Sequence, residues 1–461
     1  MRSLRLRFNS SYALWVAALA PLCILLFLDT RYRWAGPALV ATGVVLAMVT
    51  FRGRRLTGWI GAFLAWIVRH RRAPDPPSEP VVGHTVKPGD HVAVRWQGEF
   101  LVAAIELIPR PFTPTVVVEG KAQTDDVVDT RLLERLLSVH CPDLEADIVS
   151  AGYRVAKTAE ADVVSMYEQV IGSDPAPAHR RTWVMLRADP LRTRKSAQRR
   201  DGGVPGMIRY LVASTTRIAD QLASNGVDAI CSRSFDDFDH ATEISFVREK
   251  WSKIKGRDNF TAAYTAPGGP DVWWSARADH TITRIRIVPG RAPQSTVLLT
   301  TRKRPKRPRG FSRVSGGQRA ALQGQTLVTD RHCQVPIGSA GVLVGETASS
   351  YPVYMPFDDV DASINLGDAR AFVQFAVRAA AAGGTVTLGS RFQDFAGLIG
   401  AQIGAEAKVA WANATTYMGS HPGTSRVTLR HNAIGTPRHR QLPIRPISPP
   451  EEGRYQTALP R

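Results

Sequence analysis

The chain contains 461 residues, of which 44% are hydrophobic and 21% are charged. These values exclude a short peptide, a largely disordered chain and a polytopic membrane bundle, so most of the chain is expected to form folded domains. The 59 lysines and arginines outnumber the 40 aspartates and glutamates, and the formal net charge of +19 favours acidic partners. A GC-rich genome, which encodes arginine in place of lysine, explains the arginine excess equally well, so charge alone does not indicate nucleic-acid binding.

The cysteines indicate the redox environment of the body. Cys23, Cys141, Cys231 and Cys333 are widely spaced and form no CxxC pair. This spacing argues against a disulfide framework or a zinc ribbon. Three of them follow the N-terminal apolar region, and an odd number suits a reducing compartment better than an oxidising one. The sequence therefore favours a cytosolic body.

Two apolar segments near the N-terminus have the length of membrane spans. Residues 12–28 and 34–51 carry no charge, and five residues separate them. Each reaches across a hydrocarbon core about 30 Å thick, so residues 1–55 are predicted to form a two-span transmembrane helical hairpin. Arginines flank both outer ends, and the positive-inside rule places both termini and the soluble body in the cytoplasm. Cleavage of a signal peptide after Ala20 is the alternative.

Residues 56–83 are predicted to contain an interfacial helix and a linker. Apolar residues within 56–68 recur at helical spacing, but this helix would be only about 20 Å long, which is short for a third span. Residues 73–80 contain four prolines and are typical of a semi-rigid linker. Small residues in this N-terminal region form candidate helix-packing faces: Gly43, Ala47, Gly58 and Ala62.

Residues 84–265 are predicted to form a cytoplasmic α/β domain. Asp129 precedes a leucine stripe over 130–140, a pattern that predicts a capped helix. Other helices are predicted at 162–171, 205–223 and 238–254. Strand-like runs occur at 91–96, 100–107, 115–118, 146–155, 181–187 and 227–232.

Residues 266–436 are predicted to form a second cytoplasmic domain of the α+β class, because proline and glycine at 266–270 mark a boundary. A basic loop lies near 302–319, and residues 437–461 are predicted to be an extended tail rich in proline and arginine. Predicted strands occupy 272–276, 281–288, 296–301, 385–388 and 408–411, and predicted helices occupy 368–382 and 392–403.

The common catalytic signatures are missing from the sequence. It contains no GxxxxGK[ST], GxGxxG, HExxH or GxSxG motif, which argues against a P-loop ATPase and the commonest dinucleotide, zinc-protease and serine-hydrolase sites. Residues 314–318 resemble the signature loop of transporter ATPases, but that loop acts only opposite a phosphate-binding partner. We therefore predict a protein that is not an enzyme and has no catalytic, cofactor-binding or metal-binding residue.

Two acidic clusters leave one enzymatic alternative open. Asp236, Asp237 and Asp239 within 235–240, or the aspartates of 357–361, have the oxygen ligands that Mg²⁺ or Ca²⁺ prefers. The alternative is a membrane-anchored, metal-dependent sugar-transferring enzyme. We favour helix-start acids and surface loops, because acidic residues are stabilising at a helix N-terminus. His332–Cys333 lacks the further residues that would complete a metal or nucleophile site.

Two basic clusters are candidate interaction sites. Residues 192–200 and 302–309 are strongly cationic and are expected to be exposed. Neither cluster contains the aromatic residues that stack on bases, so nucleic acid is not expected as a partner. Anionic membrane lipid or an acidic protein surface is the favoured partner, and plain solvated loops are the alternative.

Seven uninterrupted stretches carry a family resemblance: VKPGDHVAVRWQGEFLVA (86–103), ELIPRPFTPT (106–115), HCPDLEADIVSAGYRV (140–155), DVWWSARADHTITR (271–284), QVPIGSAGVLVGE (334–346), PVYMPFDDVD (352–361) and GTPRHRQLPI (435–444). They resemble the EccE family, a core component of the mycobacterial type VII (ESX) secretion machinery. Within that family, the resemblance is greatest to the system that exports small helical WXG-type virulence antigens.

The resemblance implies a non-catalytic structural subunit of a secretion complex in the mycobacterial inner membrane. Its implied partners are the membrane-complex subunits EccB, EccC and EccD. In this family EccC supplies ATP hydrolysis, which agrees with the missing P-loop. The family has no established catalytic residues, so the resemblance assigns no site residue to this chain.

Overall fold

The computed structural model describes residues 50–51, 54–55, 63, 67, 82–87, 90–324, 328–430, 433–438, 441–447 and 450–459. The predicted linker at 73–80 and the predicted spans, except for residues 50–51 of the second, lie outside the described residues. Of the predicted interfacial helix, only Phe63 and Ile67 are described, and both are helical. No helix in the described part of the chain is long and apolar enough to cross a bilayer.

Secondary structure in the described residues is rich in strands. The strands are β1 (Thr50–Phe51), β2 (Arg54–Arg55), β3 (Val82–Lys87), β4 (Asp90–Gln97), β5 (Phe100–Leu107), β6 (Thr115–Val118), β7 (Lys121–Gln123), β8 (Val127–Asp129), β9 (Leu144–Tyr153), β10 (His179–Ala188), β11 (Ala229–Cys231), β12 (Arg248–Lys250), β13 (Lys253–Lys255), β14 (Phe260–Thr265), β15 (His280–Ile287), β16 (Gln294–Thr301), β17 (Ser312–Arg313), β18 (Val328–Thr329), β19 (Gln334–Pro336), β20 (Val342–Glu346), β21 (Pro352–Met355), β22 (Ala362–Leu366), β23 (Thr385–Leu388), β24 (Gln402–Ile403), β25 (Lys408–Ala410), β26 (Thr415–Tyr417), β27 (Ser425–Arg430), β28 (Ala433–Gly435) and β29 (Leu442–Pro443).

The helices are α1 (Thr130–His140), α2 (Ala161–Val170), α3 (Arg194–Gln198), α4 (Gly203–Ser224), α5 (Asp236–Thr242), α6 (Pro270–Trp274), α7 (Gln318–Leu322), α8 (Ala369–Ala381), α9 (Gln393–Ile399) and α10 (Gly453–Gln456), with 3-10 turns at Ser390–Phe392 and Pro450–Glu452. The soluble body is thus a mixed, sheet-rich α/β structure.

A large antiparallel sheet organises the first part of the body. Its strands follow the order β12-β13-β14-β16-β15-β9-β10-β5-β4-β3, with β11, β17 and β18 added at the sides. The strands β9 and β10 pair over their whole lengths, from Tyr153 opposite His179 to Leu144 opposite Ala188. The strands β15 and β16 follow the predicted boundary at 265–266 in sequence, yet β15 pairs with β9 and β16 pairs with β14. The sheet therefore crosses the predicted boundary.

Alternation along the strands gives this sheet two buried faces. Leu101, Ala103 and Ile105 point to one face and pack with apolar residues of α1 and α4. Val102 and Ala104 point to the other face, where Phe235 and Phe238 at α5 cover them. The helix at α1 begins as predicted, because the Asp129 carboxylate accepts a hydrogen bond from the Arg131 backbone N–H at 2.8 Å.

A second core surrounds α8. This helix packs beside α2 and against β20 and β23, and its residues are buried from Val373 to its last residue, Ala381. Residues from 112 to 178 also enter this core, so it too draws on both predicted domains. An eight-stranded sheet lies beside α8 in the order β24-β23-β25-β26-β22-β27-β28-β29.

Part of the predicted C-terminal tail packs into the second core. The Arg378 guanidinium of α8 binds the Glu452 carboxylate through two hydrogen bonds, of 2.7 and 2.9 Å. Both side chains are almost fully buried. Tyr455 is 2% exposed. The predicted tail is rich in proline and arginine, but Glu452 and Tyr455 attach this part of it to the body.

Three predicted elements differ from the structure. The helix predicted at 238–254 ends at Thr242, and β12 and β13 follow, because pairing with β14 replaces helical bonds. The strand predicted at 272–276 is the short helix α6, which starts with a proline and buries two adjacent tryptophans. The helix predicted at 392–403 ends at Ile399, because Gly400 adopts the left-handed conformation.

Candidate functional site

The first acidic cluster is engaged by arginines. Asp239 of α5 accepts two hydrogen bonds from the Arg95 guanidinium of β4, at 2.5 and 2.7 Å. Asp237 lies 3.3 Å from Arg181, which also binds Glu106. These acids lie in the first turn of a helix, as the structural interpretation of the sequence predicted.

The second acidic cluster lies near the start of β10 and joins segments that are distant in sequence. Asp358 accepts hydrogen bonds from the Ser339 hydroxyl at 2.7 Å and contacts His179 Nδ1 at 2.9 Å. Asp361 accepts a bond from the Thr415 backbone N–H at 2.7 Å. Burial raises the pKa of Asp359, and the neighbouring charges of Asp358 and Asp126 raise it further. Asp358 and Asp361 thus have different partners, whereas Oδ2 of Asp359 is buried and has no hydrogen-bond partner among the described residues.

His332 and Cys333 fix the start of α1. The His332 ring contacts Glu134 at 3.4 Å, and the Thr130 hydroxyl donates to the Cys333 carbonyl at 3.0 Å. Burial, together with nearby aspartates, raises the pKa of the Cys333 thiol to about 12, so the thiol stays protonated and is a poor nucleophile. Among the described residues, no group of three or more His, Cys, Asp or Glu side chains is placed to hold a metal ion.

A buried charge cluster was not predicted from the sequence. Asp147 in β9 binds Arg286 through two hydrogen bonds, of 2.7 and 2.9 Å, and lies 3.2 Å from Arg187 and 3.6 Å from Arg284. Burial opposes ionisation of Asp147, but the three guanidinium charges outweigh it and lower the pKa to about 2. One carboxylate shared by three largely buried guanidinium groups between central strands is a structural feature, because a substrate has no access to it.

The predicted basic loop at 302–309 is exposed and is held by hydrogen bonds at Arg302 and Pro305. The Arg302 backbone N–H donates to Asp279 at 2.6 Å, and the Arg313 guanidinium donates to the Pro305 carbonyl at 2.7 Å. Six cationic side chains are exposed, and no described carboxylate lies within ion-pair distance of them: Arg302, Lys303, Arg304, Lys306, Arg307 and Arg309. Unpaired cations on a fixed loop are available to an acidic partner.

The β12–β13 hairpin extends this cationic region. Slight desolvation, and then the charges of Arg304, Lys250 and Arg313, lower the pKa of Lys253. The hairpin and the loop are therefore neighbours, and we call residues 248–255 together with 302–309 the basic surface. The hairpin was missed because 238–254 was interpreted as a helix. The alternation of Lys253, Ile254 and Lys255 in β13 was the available signal.

The second predicted cluster, residues 192–200, lies elsewhere on the sheet. It follows the last residue of β10 and contains α3, which packs against the start of α4. Arg192 is paired with Glu145 at 2.7 Å, whereas Arg194, Lys195 and Arg199 are exposed. The structure thus places the two predicted basic clusters at separate sites. We call residues 189–204 the basic segment.

Comparison with known proteins identifies relatives along the whole chain. The family described as "Putative type VII ESX secretion system translocon, EccE" matches residues 176–266. The ESX-1 secretion system protein EccE1 of Mycobacterium tuberculosis is 74% identical over 458 residues, which cover 99% of each chain. The EccE1 protein of Mycolicibacterium smegmatis is 63% identical over 459 residues, which cover 100% of this chain and 99% of that protein.

A more distant relative has a different system in its name. The ESX-2 secretion system protein EccE2 of M. tuberculosis is 24% identical over 352 residues, which cover 69% of this chain and 62% of that protein. The comparisons with the two EccE1 proteins extend over 458 and 459 residues. Identity of this degree over the full length shows that the chain belongs to the EccE family of type VII ESX secretion system proteins.

Proposed function

We propose that this protein is a non-catalytic structural subunit of the inner-membrane type VII (ESX) secretion complex and supports export of small helical WXG-type virulence proteins. The observation that carries the proposal is the 74% identity, over 99% of both chains, to a protein named for the ESX-1 secretion system. The contacts of the acidic clusters support a structural role. Each of Asp237, Asp239, Asp358 and Asp361 already has a partner within the fold.

The proposed membrane attachment is the two-span hairpin at 12–28 and 34–51, followed by the interfacial helix at 56–68. Both termini and the body then lie in the cytoplasm, in a multi-pass inner-membrane protein. The proposal is supported by the lengths of the apolar segments and by the arginines that flank them. Small residues near Gly43 and Gly58 would contact neighbouring membrane helices.

The proposed partners are EccB, EccC and EccD, together with membrane lipid. The basic surface supports a protein contact, because its six loop cations are exposed and lack a described counter-charge. Acidic faces of neighbouring subunits would complement it and steer their association. No contact of this kind requires a cofactor or nucleic acid.

A pull-down tests both the function and this contact. The tagged chain is extracted from native membranes in mild detergent, and co-purifying proteins are identified by mass spectrometry. We expect recovery of EccB, EccC and EccD. The basic-surface variant K303E/R304E/K306E/R307E should lose at least tenfold of this recovery, whereas the control R131E/R135E/R370E/R426E, which reverses four exposed arginines elsewhere, should not.

Two outcomes would contradict the proposals separately. Absence of all three subunits from an intact preparation of the wild-type chain would overturn the secretion-complex role. Normal recovery with the basic-surface variant would overturn only the assignment of that contact. Equal protein abundance among the three chains is the control for folding, because exposed charges contribute little to stability.

A further inference from the structure

We propose that one end of the large sheet rests on the surface of an anionic bilayer through the basic segment. Leu191 and Val204 would enter the headgroup region, and Arg194, Lys195 and Arg199 would face lipid phosphates. This inference rests on the proposed function in one respect, because it takes residues 1–81 to hold the membrane attachment.

The register of the sheet places the basic segment at the end where the body begins. Val82, the first residue of β3, pairs with Val94 of β4. Val94 also pairs with Ala103 of β5, which pairs with Leu186 of β10. β10 ends two residues later at Ala188, where the basic segment starts. The strand order β10-β5-β4-β3 separates these two points by three strand spacings, or about 14 Å.

The length of the preceding chain limits how far Val82 can lie from the proposed interfacial helix. The predicted interfacial helix ends at Val68, and residues 69–81 join it to β3. Thirteen residues span at most about 45 Å when fully extended. A segment beside the start of β3 is therefore within reach of the bilayer surface.

The side chains of the basic segment match an interfacial site. Leu191 is 85% exposed and Val204 is 48% exposed, so two apolar side chains project into solvent. Arg194, Lys195 and Arg199 are also exposed, and no ion pair joins them to any described acid. Apolar side chains set among cations bind the interface of anionic bilayers by combining burial with charge attraction.

Four acidic groups lie near this segment, and none of them forms an ion pair with Arg194, Lys195 or Arg199. Asp143 accepts a hydrogen bond from the Ser196 hydroxyl at 2.6 Å, and Asp189 accepts one from the Leu191 backbone N–H at 2.8 Å. The remaining two acids are held by arginines other than the three free ones: Glu145 pairs with Arg192, and Asp201 pairs with Arg209.

The basic surface lacks this placement. Gln294, the first residue of β16, lies near the end of the sheet that holds the basic segment. The loop at 302–309 follows Thr301, the last residue of β16, and therefore leaves the sheet at the opposite end. The eight residues of β16 separate these positions by about 24 Å. Of the two cationic sites, the basic segment is therefore the one at the same end of the sheet as Val82, the first described residue of β3.

Lipid contact is tested with the full-length chain in nanodiscs. An environment-sensitive fluorescent amino acid is incorporated at position 191 or, as the matched control in the basic surface, at position 307. Discs contain phosphatidylcholine with or without phosphatidylglycerol, and lipids with brominated acyl chains quench a probe that enters the bilayer. We expect quenching at 191 in anionic discs to exceed quenching at 307 by at least threefold.

Charge reversal adds a second readout. The variant R194E/K195E/R199E should reduce quenching at 191 to the level at 307, because each cation near an anionic surface contributes about fivefold to binding. The control R302E/K303E/R304E should leave quenching at 191 unchanged. Similar thermal unfolding of both variants would show that neither effect arises from misfolding.

Three outcomes would overturn the inference. Quenching at 191 that does not exceed the value at 307 would show that the segment does not enter lipid. Quenching at 307 alone would assign the bilayer to the basic surface. A probe at 191 that is shielded only in the assembled secretion complex would assign the segment to an acidic protein. A chain that fails to enter nanodiscs or to recover EccB, EccC and EccD would instead contradict the proposed function.

Discussion

At the scale of single residues, Asp147 is the shared counter-charge of three buried arginines. We expect Asp147→Asn to lower the free energy of unfolding by about 3–5 kcal/mol, because the buried Arg187 and Arg284 would lose their ion-pair partner and Arg286 would keep only Glu145, at 3.9 Å. Chemical denaturation followed by tryptophan fluorescence measures this loss. Asp201→Asn is the control, with an expected loss of about 1 kcal/mol or less, because its pairing with Arg209 is exposed.

The pKa of Asp147 adds a pH dependence to the same residue. Its folded value of about 2 is below the ordinary value of 3.8, so its stabilising contribution is complete above about pH 4 and is lost as the pH falls toward 2. The difference in stability between the wild-type chain and Asp147→Asn should therefore narrow between pH 4 and pH 2. A difference that stays constant over this range would contradict the assigned pairing.

Asp359 shows the opposite behaviour. Burial, and then the charges of Asp358 and Asp126, raise its pKa, so the folded state binds its proton more tightly than the unfolded state. Stability then falls as the pH rises from the ordinary pKa of 3.8 toward the folded value. We expect Asp359→Asn to raise the melting temperature more at pH 8 than at pH 5, because the amide cannot ionise.

Thermal melts at the two pH values measure this effect. Asp125→Asn is the control, because Asp125 is exposed and its replacement should change the melting temperature little at either pH. An equal shift from Asp359→Asn at pH 5 and pH 8 would show that ionisation of Asp359 does not limit stability.

At the scale of elements, capping distinguishes α1 from α2. The Asp129 side chain accepts a hydrogen bond at the start of α1, whereas Glu160 at the start of α2 makes no side-chain cap bond. We expect Asp129→Ala to cost about 1 kcal/mol and Glu160→Ala to cost less than about 0.5 kcal/mol. Denaturant midpoints of the two variants provide the comparison. Equal losses of stability from the two variants would mean that the Asp129 cap bond stabilises α1 no more than Glu160 stabilises α2.

Elements that carry local signals were predicted from the sequence. The helix α1 was predicted because a capping aspartate and a leucine stripe coincide at 129–140, and the turn at Gly98 joins two clearly apolar strands. The strands β12 and β13 were not predicted, because their pairing with β14 is a tertiary contact. The helix α6 was hidden by a strand-like composition, since its adjacent tryptophans are buried through packing rather than through alternation.

The candidate sites follow the same division. Both basic clusters were predicted as exposed cationic segments, because runs of like charge are rarely buried. Their separation on the sheet, and the addition of the β12–β13 hairpin to the loop at 302–309, depend on strand order and register. Asp147 and its arginines are distant in sequence and meet through the pairing of β9 with β10 and β15. No pattern within a single segment indicates such a cluster.

At the scale of the whole molecule, the two predicted domains share their sheet and their cores. The predicted boundary at 265–266 stays a prediction about independent folding. Seven residue pairs join β15 to β9, and five join β16 to β14, so removal of everything after residue 265 would expose two long strand edges. The second core would also lose α8, which packs beside α2.

We therefore expect a fragment of residues 84–265 to be aggregated or unfolded, whereas residues 82–459 should elute as a discrete species and unfold cooperatively. Size-exclusion chromatography and tryptophan fluorescence compare the two fragments. The physical reason is that β9 is buried on both faces, and an exposed edge of a buried strand pairs with other chains. A soluble fragment of 84–265 with a cooperative transition would instead support the domain division at 265–266, and the pairing of β15 with β9 would then be docking between two domains that fold separately.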